Sequence, residues 1–324
     1  MPSTRPLAGL VLLAALAASC GGGSTATTTE KPATPATARF PTADSGTFAR
    51  LARSIASGGP VLAPTGQDFH PGRNRFGFGL FAPSRRQITA APAAVYVQSQ
   101  RGGRVLGPYV AHAESLAVRP PYLSATVKND PDAAKSLYVT EVDFPRAGKY
   151  NVLGLVRLDD RLVPTGTGLR VLARDPVPGV GDRPPDISTP TVRSVGGDVA
   201  KIDTRTPHDD MHDVDFRDAF GKRPIVLLFA TPLLCQSRVC GPVTDVTEEV
   251  KHTLPEAKRV AFIHMEVYRQ NDANKGYRPQ LRAFHLSSEP WLFVIDRSGR
   301  VAARIEGAFS ARELESAIRT ALRQ

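Results

Sequence analysis

The chain of 324 residues predicts two folded domains in series, an all-β domain followed by an α/β domain. Three observations predict this. Its length exceeds one ordinary domain. Residues 61–173 break into short β-rich runs separated by Pro and Gly turns, and beyond them two continuous apolar runs alternate with helical patterns. A Pro-rich segment with Pro176, Pro178, Pro184, Pro185 and Pro190 separates the halves, so 46–174 and 198–324 are the expected domains and 175–197 a stiff linker.

At the N-terminus, Arg5 precedes an apolar stretch over residues 7–18 that ends at Leu16-Ala17-Ala18-Ser19-Cys20. This resembles a bacterial lipoprotein signal with its lipobox. The apolar core is shorter than the ~20 residues that span a bilayer as a helix. The resemblance implies a signal over 1–20, a lipid on Cys20, and a protein tethered to a membrane on the extracytoplasmic side of the cell envelope. Residues 21–45, rich in Gly, Ser, Thr, Ala and Pro, are expected to form a disordered tether. The net charge of +10 comes from scattered Arg and Lys without aromatic interleaving, which excludes a specific nucleic-acid surface.

In the first domain, strands are expected over 76–81, 94–98, 137–144, 149–158 and 169–173. Along one of them Leu137, Val139 and Glu141 share a face opposite Tyr138, Thr140, Val142 and Phe144. The segment Pro145-Arg-Ala-Gly148-Lys-Tyr150-Asn-Val152 resembles the corner that leads into a late strand of immunoglobulin-like domains, which implies a β-sandwich used for spacing or partner binding. His70 and His112 have no ligand-like company in sequence.

In the second domain, the apolar runs 225–230 and 259–267 read as strands buried on both faces. A helix over 242–253 lies between them. A hairpin of 291–295 and 301–305 turns through Asp296-Arg-Ser-Gly299. Ser310-Ala-Arg-Glu313 is a capping box for a last helix whose apolar face carries Leu314, Ala317, Ile318, Ala321 and Leu322. The order β, α, β, α, hairpin, α, with cysteines after its first strand and Glu289-Pro290 before its hairpin, resembles thioredoxin-like domains. The segment Gly181-Asp-Arg-Pro-Pro-Asp186 is similar to the lead-in of extracytoplasmic members. The resemblance implies that Pro290 is a cis-proline facing the thiols.

Thioredoxins pair their cysteines as Cys-x-x-Cys, whereas this chain has Cys235-x4-Cys240. Five positions apart on one helix, two cysteines would point about 140° apart with Cα atoms about 8–9 Å distant, beyond bridging range. Gly241-Pro242 therefore predicts a helix start that leaves Cys240 just before the helix and Cys235 in the preceding loop. In an exported chain a local disulfide between them is expected. A thiol at a helix N-terminus favours its thiolate, which makes Cys240 the expected nucleophile and Cys235 the resolving thiol; the rival register puts Cys235, six residues after Phe229, first.

These residues imply a thiol:disulfide oxidoreductase acting on envelope protein thiols or disulfides, with Cys240, Cys235 and Pro290 as its site and no cofactor or resident metal. Three alternatives stand beside it. Pro232 and Ser237-Arg-Val-Cys240 loosely resemble a peroxiredoxin loop. His264 or Met265 with the cysteines is similar to the copper sites of Sco-type chaperones. A non-catalytic binding lipoprotein would use the disulfide only as a staple. His208, Asp209, Asp210, His212 and Asp213 form a dense His/Asp segment expected to be a solvated loop.

Overall fold

A computed structural model describes residues 40–324. The expected signal, Cys20 and most of the tether lie outside the described residues. The end of that expected tether is packed: Phe40 is buried, and the Tyr96 hydroxyl donates to the Pro41 carbonyl at 2.6 Å.

Seven antiparallel strands make up the first half. They are β1 (Val61–Pro64), β2 (Gly72–Phe81), β3 (Ala93–Ser99), β4 (Leu106–Ser115), β5 (Ser136–Phe144), β6 (Gly148–Leu158) and β7 (Arg161–Val171), in the spatial order β1-β2-β5-β4-β3-β6-β7. They form one barrel-like sheet where two separate sheets were expected. The cause is β4, whose residues from Leu106 to Ala111 pair with β3 while His112 to Ser115 pair with β5. A parallel bridge between Phe69 and Val171 draws the two ends of the sheet together. Phe76, Phe78, Val95, Tyr138, Phe144, Tyr150 and Val152 fill the interior. Helix α1 (Ser45–Arg53) covers the outer face of β3 and β6, where Phe48 meets Ala94, Tyr96 and Leu155. The Tyr150 hydroxyl donates to the Arg146 carbonyl at 2.9 Å and ties the turn between β5 and β6.

The sequence pattern split the faces of β5 correctly, but both are covered. Tyr138, Val142 and Phe144 point into the barrel, whereas Leu137 and Val139 join the core of the second half. After β4 the chain forms α2 (Ala125–Lys128), and after the Pro-rich segment it forms α3 (Phe216–Ala219). That Pro-rich segment is not a free spacer. Val177 and Ile187 are buried against the second sheet, and Gly181 and Asp182 exchange backbone hydrogen bonds with Val301.

The second sheet contains β8 (Ile225–Phe229), β9 (Ala261–Met265), β10 (Trp291–Ile295) and β11 (Val301–Glu306), in the order β11-β10-β8-β9. Strands β8 and β9 are parallel, and β10 runs antiparallel to both its neighbours. Helices α4 (Cys240–Thr253) and α6 (Ala311–Arg323) cover one face, while α3 and α5 (Pro279–Ala283) cover the other. Alternate residues of β8 serve the two cores: Val226 and Leu228 face α4 and α6, and Ile225, Leu227 and Phe229 face the other way. This is why the strand reads as an unbroken apolar run. The capping box at Ser310 and Glu313 is present, as the sequence predicted.

Polar contacts close the seam between the halves. Arg75 makes a two-pronged ion pair with Glu313 at 2.7 and 3.0 Å and also donates to the Ala308 carbonyl. Glu306 accepts from the backbone N–H groups of Gln67 and Asp68. Gly307 sits at φ 79° with its Cα so close to the Thr65 carbonyl that a Cβ there would lie 2.0 Å from the oxygen, so only glycine fits.

Candidate functional site

Strand β8 ends at Phe229 and delivers the chain into a loop that carries Cys235; Cys240 is the first residue of α4. The helix thus begins two residues earlier than Gly241-Pro242 suggested, because proline is tolerated anywhere in a first turn, where its missing N–H is not needed. Between the cysteines the loop makes a tight turn. Arg238 lies at φ 59° in the left-handed region, and its N–H reaches the Cys235 carbonyl at 3.4 Å. The turn folds Cys235 back over the helix end, where its Sγ accepts the Cys240 backbone N–H at 3.4 Å and lies 3.2 Å from Ser237 Oγ. Helix α2 packs onto the same helix end, and a Cβ on Gly241 would come within 2.9 Å of Val127.

Both cysteines are free thiols in this structure, the reduced form of the expected pair. Their environments invert the expected order of acidity. Cys235 has its pKa lowered to about 6, first by the thiol of Cys240 donating to it, against the cost of burial, and further by Ser237 and the N–H groups of Cys240 and Val239. Cys240 is held well above the ordinary thiol range, first by complete burial and then by its hydrogen bond to Cys235 and the charge there. The helix-terminus argument for Cys240 is therefore corrected. The N–H groups at the start of α4 act on Cys235, which the loop carries to them, while the thiol of Cys240 itself points into the core.

The Glu289-Pro290 bond is cis, and the Glu289 carboxylate is close enough to disfavour the Cys240 thiolate further. Glu289 accepts hydrogen bonds from the hydroxyls of Tyr268 at 3.2 Å and Tyr277 at 3.1 Å. Burial, reinforced by that carboxylate, pushes the Tyr277 hydroxyl up to about 12. Sequence reasoning did not single out this Tyr-Glu-Tyr group. Its only signal was the position of Glu289 immediately before Pro290.

The His/Asp segment is not a solvated loop. Asp209 and His212 are buried, and they meet Asp203 and His264, which are also buried. His264 has Nδ1 2.7 Å from Asp209 Oδ2 and Nε2 3.2 Å from the Ala230 carbonyl. Its ring nitrogens thus face a carboxylate and the root of the thiol loop. Met265, the next residue on β9, packs in the core on the opposite face, so the two cannot converge on one ion. His208 is exposed, and Asp210 pairs with Lys251 and His252 on the surface.

The strand order, the thiols at and just before the start of α4, and the cis-proline before β10 give the second half a thioredoxin-like α/β fold. Solved structures with some similarity include one assigned as a thiol:disulfide interchange protein DsbE from Chlorobium tepidum (20% identity, TM-score 0.32, covering 44% of this chain and 98% of that one). A thioredoxin-family thiol:disulfide interchange protein from Chlorobium tepidum TLS gives 18% identity and a TM-score of 0.30, covering 44% of this chain and 97% of its own. The thioredoxin-like superfamily protein SPOA0173 gives 20% and 0.28, covering 35% and 87%. No family model matches the chain, and neither does any curated protein.

Proposed function

We infer that this protein is a thiol:disulfide oxidoreductase whose attacking thiolate is Cys235. The observation that carries this reading is the unequal pair: Cys235, 4% exposed, with a midpoint of about 6, and Cys240, fully buried, protonated, and donating to it. Ionised at neutral pH, Cys235 attacks a substrate disulfide, forming a mixed disulfide and releasing one substrate thiolate. Cys240 then gives up its proton to that departing side, and its thiolate attacks Cys235 Sγ. This closes Cys235–Cys240 and frees the second substrate thiol, so two electrons pass from the pair to the substrate. The reverse sequence oxidises a substrate dithiol by the same contacts. The cis bond before Pro290, and the action of the preceding Glu289 on Cys240, support Pro290 as the residue that faces the thiols.

A cleft of about 860 Å³ adjoins the loop, lined by Ser237, Arg238 and Val239 on one side and Arg85, Arg86 and Lys135 on the other. It fits an extended polypeptide, in keeping with an envelope protein as substrate. The lipobox at Cys20 supports attachment to the extracytoplasmic face of a membrane through lipid, and among the described residues no helix is long and apolar enough to cross one. The strand order, in which β4 pairs with β3 along its first part and β5 along its second, and the Tyr150 hydroxyl tied to the Arg146 carbonyl, support an immunoglobulin-like reading of the first half.

The test is trapping. Cys240→Ser should accumulate a mixed disulfide with a model disulfide substrate through Cys235, and Cys235→Ser should form none. Equal trapping by Cys235→Ser, or activity surviving that substitution, would refute the assignment.

A further inference from the structure

We propose that Asp203, Asp209, His212 and His264 form a binding site for a divalent transition-metal cation such as Zn(II), separate from the thiols and anchoring the root of their loop. The four residues come from the loop before α3 and from β9, and their ligand atoms all lie within 4.8 Å of one another. His212 Nε2 is 3.2 Å from Asp209 Oδ1 and 3.6 Å from Asp203 Oδ2; His264 Nδ1 is 2.7 Å from Asp209 Oδ2 and 3.9 Å from Asp203 Oδ1. A tetrahedral ion with ligand bonds of about 2.1 Å separates its ligands by about 3.4 Å, and these spacings straddle that value. Each carboxylate turns one oxygen to each imidazole.

The chemistry of the donors points the same way. Neither nitrogen of His212 makes a well-formed hydrogen bond, although the residue is only 1% exposed. His264 places Nε2 on the Ala230 carbonyl, which can only accept, so that nitrogen carries a proton, and its Nδ1 sits 2.7 Å from the Asp209 carboxylate, where a metal ion would displace the Nδ1 proton. Two imidazoles and two carboxylates converge on one buried point, where the carboxylates require positive charge between them. A dipositive ion in place of the imidazole protons balances the two carboxylates and leaves both rings neutral.

Backbone N–H groups of Arg205, Asp209 and Met211 hold the carboxylates in place, at 2.7 to 3.0 Å. The site also braces the redox loop. Ala230, bonded to His264, begins the run to Cys235, and Thr204, next to Asp203, accepts the Leu233 N–H at 3.1 Å. The mixed imidazole and carboxylate set suits Zn(II) or a similar ion of borderline hardness and disfavours Cu(I), which selects sulfur.

The experiment uses the full chain, kept reduced and stripped with a chelator, then titrated with Zn(II) and separately with Co(II). One equivalent should bind with proton release. The Co(II) form should show tetrahedral visible bands without the thiolate charge-transfer band, and X-ray absorption on the Zn(II) form should find only nitrogen and oxygen neighbours. Zn(II) at a hundredfold excess over its Kd should raise Tm by about 5 °C. The Cys235→Ser/Cys240→Ser double variant and His252→Ala should bind as the parent does. His212→Asn should weaken binding by more than the roughly 10–100-fold that loss of an outer-shell contact costs. Sulfur in the coordination shell, or loss of binding in His252→Ala, would overturn the proposal. So would absence of binding by the folded parent protein, which would leave two protonated imidazoles as the balancing charge.

Discussion

Replacing Cys240 by alanine isolates the contact that most favours the Cys235 thiolate. The Cys240 thiol donates to Cys235, and a hydrogen bond to a charged acceptor contributes about 1.5–3 kcal/mol, or about 1–2 pKa units. Without it the Cys235 midpoint should rise from about 6 to about 7–8. At pH 6 a rise of ~1.5 units lowers the thiolate fraction, and hence the rate of alkylation by iodoacetamide, by about 15-fold. Cys240→Ser keeps a hydroxyl donor and should leave the midpoint near 6. The assay is stopped-flow alkylation across pH, with mass spectrometry to locate the adduct; the midpoint reports ionisation, while the limited exposure of Cys235 affects only the plateau. A midpoint unmoved in Cys240→Ala, or a parent protein alkylated first on Cys240, would refute the reasoning. Stability supplies a second check. The folded midpoint of Cys235 is lowered from 9.0 to about 6, so the unfolded chain binds more protons between these values and stability of the reduced protein rises with pH there. The contribution is on the order of 1 kcal/mol at pH 7 and is lost as pH falls through 6. Cys240, held above 9.0 in the fold, stays protonated in both states until its unfolded thiol begins to ionise as pH approaches 9.0.

Two further predictions concern stability. Arg205 is buried against Asp245 at 2.8 Å and donates to the carbonyls of Pro207 and Tyr122. Arg205→Ala leaves Asp245 as an uncompensated buried charge and should cost about 3–5 kcal/mol in urea unfolding; a loss under 1 kcal/mol would show that water reaches Asp245. His285 ends α5 in the left-handed region at φ 58°, with its N–H on the Arg282 carbonyl and the Leu286 N–H on the Leu281 carbonyl. His285→Gly should stabilise the protein by about 1 kcal/mol, read as a rise in Tm, and a fall would mean that the imidazole makes a compensating contact.

Local sequence determined the elements whose burial is uniform. Strands β8 and β10 are apolar at every position because both faces are covered, and α6 announces itself by its capping box and a single apolar stripe. The two cysteines and Glu289-Pro290 were legible because each breaks the chain's local pattern beside such an element. Strand β4 escaped notice because most of its residues are only half-buried and it contains Gly107-Pro108, which local rules assign to turns.

Tertiary structure decided which thiol ionises. Helix position alone favoured Cys240, but ionisation depends on which sulfur the turn at Arg238 lifts to the helix N–H groups and which one the core excludes from water. It likewise turned a polar stretch into a buried cluster. Asp209 and His212 are hydrophilic by composition, and only the arrival of His264 on β9 and Asp203 across the loop gives them partners away from solvent. A sequence fixes residue types and near neighbours; desolvation and charge pairing act between groups brought together from distant positions, and they exist only once the chain has closed.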